Sequence, residues 1–476
     1  VYDGLVRLTS DGTIEKALAK QIDVSEDGKV YIFLLRDAKW TDGSPITAHD
    51  FEHSWKTTLT SSCAFPCPHL LYPIKNAEKA FKGAVPLDDV AIRALDERTL
   101  RVELEHPTPY FLSLIAFCNF YPVSKRMDRA NPSWEISSGE MPFSGPFMIE
   151  KWERNKEVVL KKNPSYWNAD NVLLDGIRLM IIPDGHTVVQ MFENGELDFV
   201  TTGTASLSPE NLKHCKDRDL LRVVPMGGLA MLAFNLDVPP FNNKKLRQAM
   251  VLSVDWKSLI GAISQLSEQA ATRVIPPVLM NGENRNILPS YNPNSAKTLF
   301  EEGLTEAGLD RKEFVKAAHL LYQNAEQYRN IALGMQHGWK QNLGIDVSIY
   351  ELESNVLYKR LANKEYAFGI TIAIAQYNDA NNIFERFKIK KSMKNYPGFE
   401  NEEYVRLLDE AAQTNDEKKR FELIHRAEDV LISELPFYPI FHFNNGVLIS
   451  EYFDRVEFSP LGNLLFKDVI PKEIWR

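Results

Sequence analysis

Cysteine is scarce: four residues in 476 are too few for a disulfide framework to replace a hydrophobic core, leaving open a single bridge in an oxidising compartment. Long hydrophobic runs are also missing. No window approaches about 18 uncharged apolar residues, which excludes a hydrophobic spanning helix. Val1 to Thr13 is interrupted by Asp3, Gly4, Arg7 and Asp11, so no secretory h-region lies there. There is no cationic excess: 55 Lys and Arg face 64 Asp and Glu, a formal charge of -9, and the basic stripe of a nucleic-acid-binding surface is not expected. No Gly-Lys-Ser/Thr phosphate loop and no Gly-x-Ser-x-Gly elbow occurs, which removes the usual parts of nucleotide and serine hydrolases.

What is present is ordinary globular composition, 44% hydrophobic, 25% charged and 11% aromatic. At roughly 150 residues per domain the length predicts about three folded units, and no linker, repeat or low-complexity tract separates them. The run Val1 to Val6 reads as a strand without a polar leader, so a signal and some mature sequence are expected to precede it.

The pattern is α/β, of the α+β kind. Val30 to Arg36, after the Asp27-Gly28 turn, reads as a hairpin strand, and Thr99 to Leu104 alternates apolar and polar before Pro107 and Pro109. Thr47-Ala48-His49-Asp50 is a capping-box pattern that starts a helix with Phe51, Trp55 and Leu59 spaced by four. Strands are expected at Phe147 to Trp152, Glu157 to Lys161 and Ile177 to Ile182, with a helix from Thr187 to about Asn194. Helices follow at Lys244 to Ser253, Ser295 to Ala307 (closed by Gly308) and Tyr328 to Asn342 (closed by Gly344). A strand comes next at Asp346 to Tyr350. Phe368 to Ala375 and Pro436 to Phe443 are short, very apolar runs of the kind found in central strands.

The segment from Tyr31 to Trp55, with Leu34-Leu35-Arg36-Asp37-Ala38-Lys39-Trp40-Thr41-Asp42-Gly43-Ser44 and Thr47-Ala48-His49-Asp50-Phe51 at its centre, resembles the signature of the large extracytoplasmic solute-binding proteins of peptide ABC importers. Ser144-Gly145-Pro146-Phe147, Lys162-Asn163-Pro164-Ser165-Tyr166-Trp167, Gly195-Glu196-Leu197-Asp198 and Phe241 to Ala249 continue the likeness in order. The resemblance implies a two-lobed clamp with an extra small subdomain. Residues 1–123 would form the small subdomain, 124–225 plus 445–476 the base lobe, and 226–444 the opposing lobe. Crossovers are expected near Met226-Gly227-Gly228 and Phe443-Asn444-Asn445. It further implies a non-enzymatic, monomeric receptor without cofactor, periplasmic or lipid-anchored at the cell surface, that hands a peptide to a membrane permease. The family's first base-lobe strand, which would precede Val1, is expected to line one edge of the groove.

The resemblance also implies the site. In such proteins an aspartate before a Tyr-Asn-acidic segment holds the peptide ammonium; here the run is Ala373-Ile374-Ala375-Gln376-Tyr377-Asn378-Asp379. Gln376 stands at the anchor and Ala373 where an aromatic wall is usual. Either Asp379 or another carboxylate takes over, or the ligand is a short, modified or γ-linked peptide such as glutathione; nickel or haem on the same scaffold is a further alternative. Phe65 and His69 belong to a groove-lining loop, with a plain surface loop as the rival reading. Cys63 and Cys67 would form a local disulfide or, with His69, hold a soft metal. Cys118 and Cys215 read as buried apolar residues. Met231 and Phe441-His442-Phe443 are divided between groove and core. His49 and His53 have the i,i+4 spacing of zinc peptidases, but Asp50 occupies the place of the catalytic Glu, and this reading is the most distant.

Overall fold

The computed structural model describes residues 1–60, 67–130, 141–205, 207–280, 282–283 and 285–472. Four antiparallel strands open the fold, in the order Ala19–Val24, Val30–Leu35, Thr99–Glu103, Ile92–Ala94. Tyr31, Phe33 and Leu35 alternate inward and meet Leu100 and Val102 on the same face. The helix Ala48–Thr58 lays Phe51 and Trp55 on that face, both fully buried. At about 1.5–3 kcal/mol per fully buried large apolar side chain, this face holds the unit together. The Trp55 indole also donates to the Phe120 carbonyl at 2.8 Å. The helix start follows the sequence: one Asp50 oxygen accepts from the Thr47 N–H at 2.8 Å and the Thr47 hydroxyl at 3.0 Å, and the other from the Lys125 N–H at 2.9 Å.

The opening residues differ from expectation. Val1 to Leu5 is not a strand; the strand is Val6–Leu8, paired with Ile14–Lys16. The preceding segment is held instead by polar bonds to the middle of the chain. Asp3 accepts from Arg7 at 2.9 Å, the Tyr166 hydroxyl at 3.1 Å and the Trp167 indole at 3.0 Å, and its N–H donates to Ser144 Oγ at 3.0 Å. Gly145 N–H donates to the Val1 carbonyl at 2.9 Å, and a Cβ at Gly145 would stand 2.7 Å from the Val1 carbonyl carbon. Asn163, fully buried, donates to the Gly145 carbonyl and accepts from Ser165 N–H, each at 2.9 Å. The Ser-Gly-Pro and Asn-Pro-x-Tyr-Trp motifs thus act as a clip for the N-terminal segment. Strands Phe147–Glu153, Glu157–Lys162 and Gly176–Met180 form a three-stranded antiparallel sheet beside it.

The dominant sheet has six strands, in the order Phe199–Thr201, Phe437–Ile449, Leu221–Phe234, Phe368–Ile374, His319–Gln323, Ser348–Leu352. The last two are parallel and joined by the helix Glu326–Leu343, while Leu221–Phe234 is antiparallel to both neighbours. Gly308 and Gly344 end their helices at φ 64° and 67°, the left-handed region that glycine enters without a Cβ penalty. Alternate residues of Leu221–Phe234 feed two cores. Ala230, Leu232 and Phe234 face one packed by the helices Lys244–Leu252, Pro293–Ala307 and Glu326–Leu343. Leu229, Met231 and Ala233 face another packed by Glu402–Ala412 and Glu417–Glu434. Both faces are covered, which accounts for the continuous apolar run.

The two long strands, Leu221–Phe234 and Phe437–Ile449, pair with each other along most of their length. Between Pro225, opposite Asn444, and Leu229, opposite His442, the register slips: Met226-Gly227-Gly228 contributes two more residues than its partner strand. This bulge coincides with the expected crossovers. Gly227 is wedged between Leu279 and Leu461, and Gly228 against Phe443.

Candidate functional site

The strand Phe368–Ile374 ends beside this bulge, where Ala375 N–H donates to the Gly227 carbonyl at 2.7 Å. The residues that follow leave the sheet and meet the first unit of the chain. Tyr377 stacks on Tyr110, centroids 5.4 Å apart and planes within 7°, and joins that unit's core. Tyr110 OH accepts from Asn381 Nδ2 at 2.8 Å, Ser113 Oγ donates to the Asn378 carbonyl at 3.2 Å, and Asn378 Nδ2 donates to the Gly12 carbonyl at 3.3 Å. Burial pushes both phenols well above the usual tyrosine range, so they are neutral apolar plates with a polar tip.

Gln376, half-buried, places Nε2 3.0 Å from Cys67 Sγ, while its N–H donates to Asn382 Oδ1 at 3.1 Å. It lies in the seam between the first unit and the six-stranded body. Asp379 is already committed: Oδ1 accepts from Arg420 Nη2 at 2.6 Å and from the Asn381 N–H at 2.9 Å, with both charged side chains about nine-tenths buried. Arg420 also lies 5.5 Å above the Tyr110 ring. Asp379 therefore braces the seam rather than waiting for a ligand ammonium. Ile374 is 41% exposed at the strand end.

Other candidates are core residues. Ala373 is fully buried between the Leu229 strand and its helices, Met231 belongs to the same core, and Phe441 packs in the opposite one. With both sheet faces covered, period-2 alternation sends these side chains to helices and not to the cleft. Phe443 packs edge-on to Phe441 at 5.2 Å and lies against that core. His442 points elsewhere, Nε2 3.2 Å from the Arg273 carbonyl, and burial pushes its pKa down to about 4 against two favourable backbone bonds.

Phe65 and Cys63 lie outside the described residues, and with them the Cys63–Cys67 bridge. Cys67, Cys118 and Cys215 carry free thiols. Cys215 is buried as expected, but Cys118 is exposed, because the short 3-10 turn Cys118–Phe120 points Phe120 and Asn119 inward. Among the described residues no group of three His, Cys, Asp or Glu side chains is placed to hold a metal. His53 is bonded to Asp128 at 2.6 Å and Asp50 to its three donors, so the peptidase-like spacing is accounted for by helix capping and a side-chain hydrogen bond.

Sequence reasoning missed Tyr110, Arg420, Arg386 and Lys394. The last two lie in a stretch with five cations in the nine residues 386–394, a charge run that marks the segment. Arg386 donates to the Ile374 carbonyl, and burial lowers its pKa. Burial and the Arg386 charge lower that of Lys394. His69 presents much of its surface to solvent, yet desolvation by the chain around its ring, with the charges of Lys394 and Arg386, lowers its pKa. A hollow of about 580 Å³ lined by Arg311, Lys316, His319 and Tyr350 lies at the far sheet edge, away from this seam.

Residues 13–395 match the family model described as bacterial extracellular solute-binding proteins, family 5 middle. The chain is 33% identical to the oligopeptide-binding protein OppA of Bacillus subtilis and 32% to the dipeptide-binding protein DppE of the same organism. Each alignment covers 98% of this chain and 86% of the relative. The crystal structure of a periplasmic oligopeptide-binding protein, OppAIV from Borrelia burgdorferi, superposes with a TM-score of 0.85 at 27% identity, covering 99% of this chain and 94% of that one. The two-lobed fold with its added small unit is therefore a shared one, and the chain belongs to the bacterial extracellular solute-binding proteins of family 5.

Proposed function

We propose that this protein is the non-enzymatic receptor of a peptide ABC importer, acting outside the cytoplasmic membrane as a monomer. It encloses an extended peptide between its lobes and presents it to a membrane permease. The seam around Tyr377 carries the reading. Residues at the end of a central strand of one body lie against the first unit of the chain, next to one of the two places where the two long strands lose their pairing in step. A ligand seated there touches both sides, which is the requirement for binding to favour closure. In this reading residues 1–123 form the small subdomain, 124–225 with 445–476 the base lobe, and 226–444 the opposing lobe. The names of the relatives, which bind oligopeptides and dipeptides, support peptide as the ligand class. Gln376, Ile374 and His69 are the residues proposed to line the groove.

The test is native mass spectrometry of protein purified without denaturation, followed by thermal melts with a random tetrapeptide and pentapeptide pool. Copurified peptide masses and a raised melting temperature are expected. No peptide bound at any length, or peptide cleavage with stoichiometric zinc, overturns the reading.

A further inference from the structure

Cys67 brings together groups from two parts of the chain. Gln376 Nε2 lies 3.0 Å from its sulfur, Arg386 and Lys394 both lie within electrostatic reach of this residue and Lys394 within reach of Arg386, and His69 follows it by two residues. Arg386 is fixed by its bond to the Ile374 carbonyl, two residues before Gln376. Two other cations of this basic run are paired. Lys388 is paired with Asp409 at 2.5 Å and Glu385 at 3.5 Å, and Lys390 with Asp237 at 3.4 Å and Glu400 at 3.6 Å. Among the described residues no carboxylate forms an ion pair with Arg386 or Lys394.

Two like charges gathered in a partly desolvated seam repel one another and lack the partner that would offset their desolvation. An anion supplies it. The guanidinium keeps donors free beyond the one used on Ile374, in the planar fork that matches a carboxylate. The lysine ammonium adds a further donor, and the neutral Gln376 amide opposes no negative charge. An ammonium placed here would instead face two cations.

We propose that Arg386 and Lys394, beside Gln376 and His69, form a receptor for a carboxylate at the leading end of the ligand. This deepens the peptide-receptor reading and rests on it: the preferred peptide begins with an acidic group in place of a free amine, as an acidic N-acyl cap would provide.

The experiment is calorimetric titration of the full chain with one tetrapeptide sequence in free-amine, N-acetyl and N-succinyl forms, at low and high salt. Charge-assisted bonds to a carboxylate predict that the N-succinyl form binds about tenfold tighter than the N-acetyl form or better. The free-amine form is expected to be weakest, and the preference to shrink as salt rises. Arg386→Gln with Lys394→Gln abolishes the succinyl preference. Lys394→Gln alone, which leaves the Ile374 bond intact, reduces it, and melting curves of both variants report folding. Equal affinity for succinyl and acetyl forms, or tightest binding of the free amine, overturns the carboxylate receptor while leaving peptide binding standing. Failure of all three forms to bind overturns both.

Discussion

Glu428 and Arg273 form a fully buried ion pair in the body around the six-stranded sheet, and its disruption has a calculable cost. Glu428 accepts from Arg273 Nη2 at 2.8 Å and Nε at 3.2 Å, from the Val274 and Ile275 N–H groups at 2.9 and 3.2 Å, and from Arg285 at 3.3 Å. Neither partner's side chain has measurable exposure. Glu428→Gln keeps the volume, removes the charge, and turns one acceptor oxygen into a donor facing N–H groups. The Arg273 guanidinium is then buried with Arg285 beside it, sharing the one remaining amide oxygen with the Val274 and Ile275 N–H groups and otherwise facing only the Glu283 carbonyl, at 3.1 Å, as an acceptor. Breaking such a pair from one side costs about 3–5 kcal/mol. For a unit of this size about 2–4 °C is lost per kcal/mol, so the melting transition of this lobe should fall by roughly 6–20 °C. Differential scanning calorimetry is the assay, because a multidomain chain need not melt in one step and the affected transition has to be resolved. Arg273→Met with Glu428→Leu removes both charges and should recover much of the loss. A drop equivalent to less than about 1 kcal/mol in Glu428→Gln, below the range for an uncompensated buried charge, would refute the reasoning. So would a double variant less stable than the single one.

Tyr377→Leu removes the Tyr110 stack, worth about 0.5–1.5 kcal/mol beyond area burial; peptide affinity should weaken about 2- to 13-fold, and unchanged affinity by calorimetry would show that the seam does not contribute to closure. His442 has a folded pKa depressed to about 4 from 6.5. The unfolded state takes up its proton first as pH falls, so stability is complete above about 6.5 and declines toward 4. Melting temperatures across that window should fall less steeply in His442→Gln, and parallel slopes would count against it. Gly145→Ala drives a Cβ into the Val1 and Tyr2 backbone, 2.7–2.8 Å away, and overpacking of this kind costs about 1–3 kcal/mol. Thermal melts should show the loss, and a melting temperature equal to the parent's would mean that the N-terminal clip is not closed in solution.

Local features were readable where one side chain decides them. Thr47 and Asp50 announce the helix they cap, and Gly308 and Gly344 the ends of two others, because left-handed φ values select glycine. Tyr31, Phe33 and Leu35 declare a half-buried strand by alternation. The same rule fails for Met231, Ala373 and Phe441. A strand covered on both faces gives every position an apolar residue, so the pattern carries no information on which side meets the cleft. Val1 to Leu5 read as a strand because it is apolar, whereas its partners, Ser144, Gly145, Tyr166 and Trp167, lie about 140 to 165 positions away and all but Gly145 bond through side chains. The role of Asp379 was equally hidden, since its partner Arg420 is 41 residues further on. The anchor substitution at Gln376 was visible in the sequence; the paired cations beside it needed the fold to bring residues 67, 376, 386 and 394 together.

The slipped register at Met226-Gly227-Gly228, with the one-residue slip that follows between Ala230 and Met231, acts as a set of missing rungs in the ladder. Pro225 has no N–H to donate, and three residues pass before pairing resumes at Leu229. Bending a regular sheet strains many hydrogen bonds at once, but bending this one at residues 225–229 strains few. The stiffness of the two long strands on either side concentrates any relative rotation of the lobes into that short interval. Two rails that flex at the same height permit a swing and resist a twist. The groove proposed to start where Ala375 bonds to Gly227 would therefore sit at the fulcrum, where a small displacement at the ligand would become a large one at the rims of the jaws.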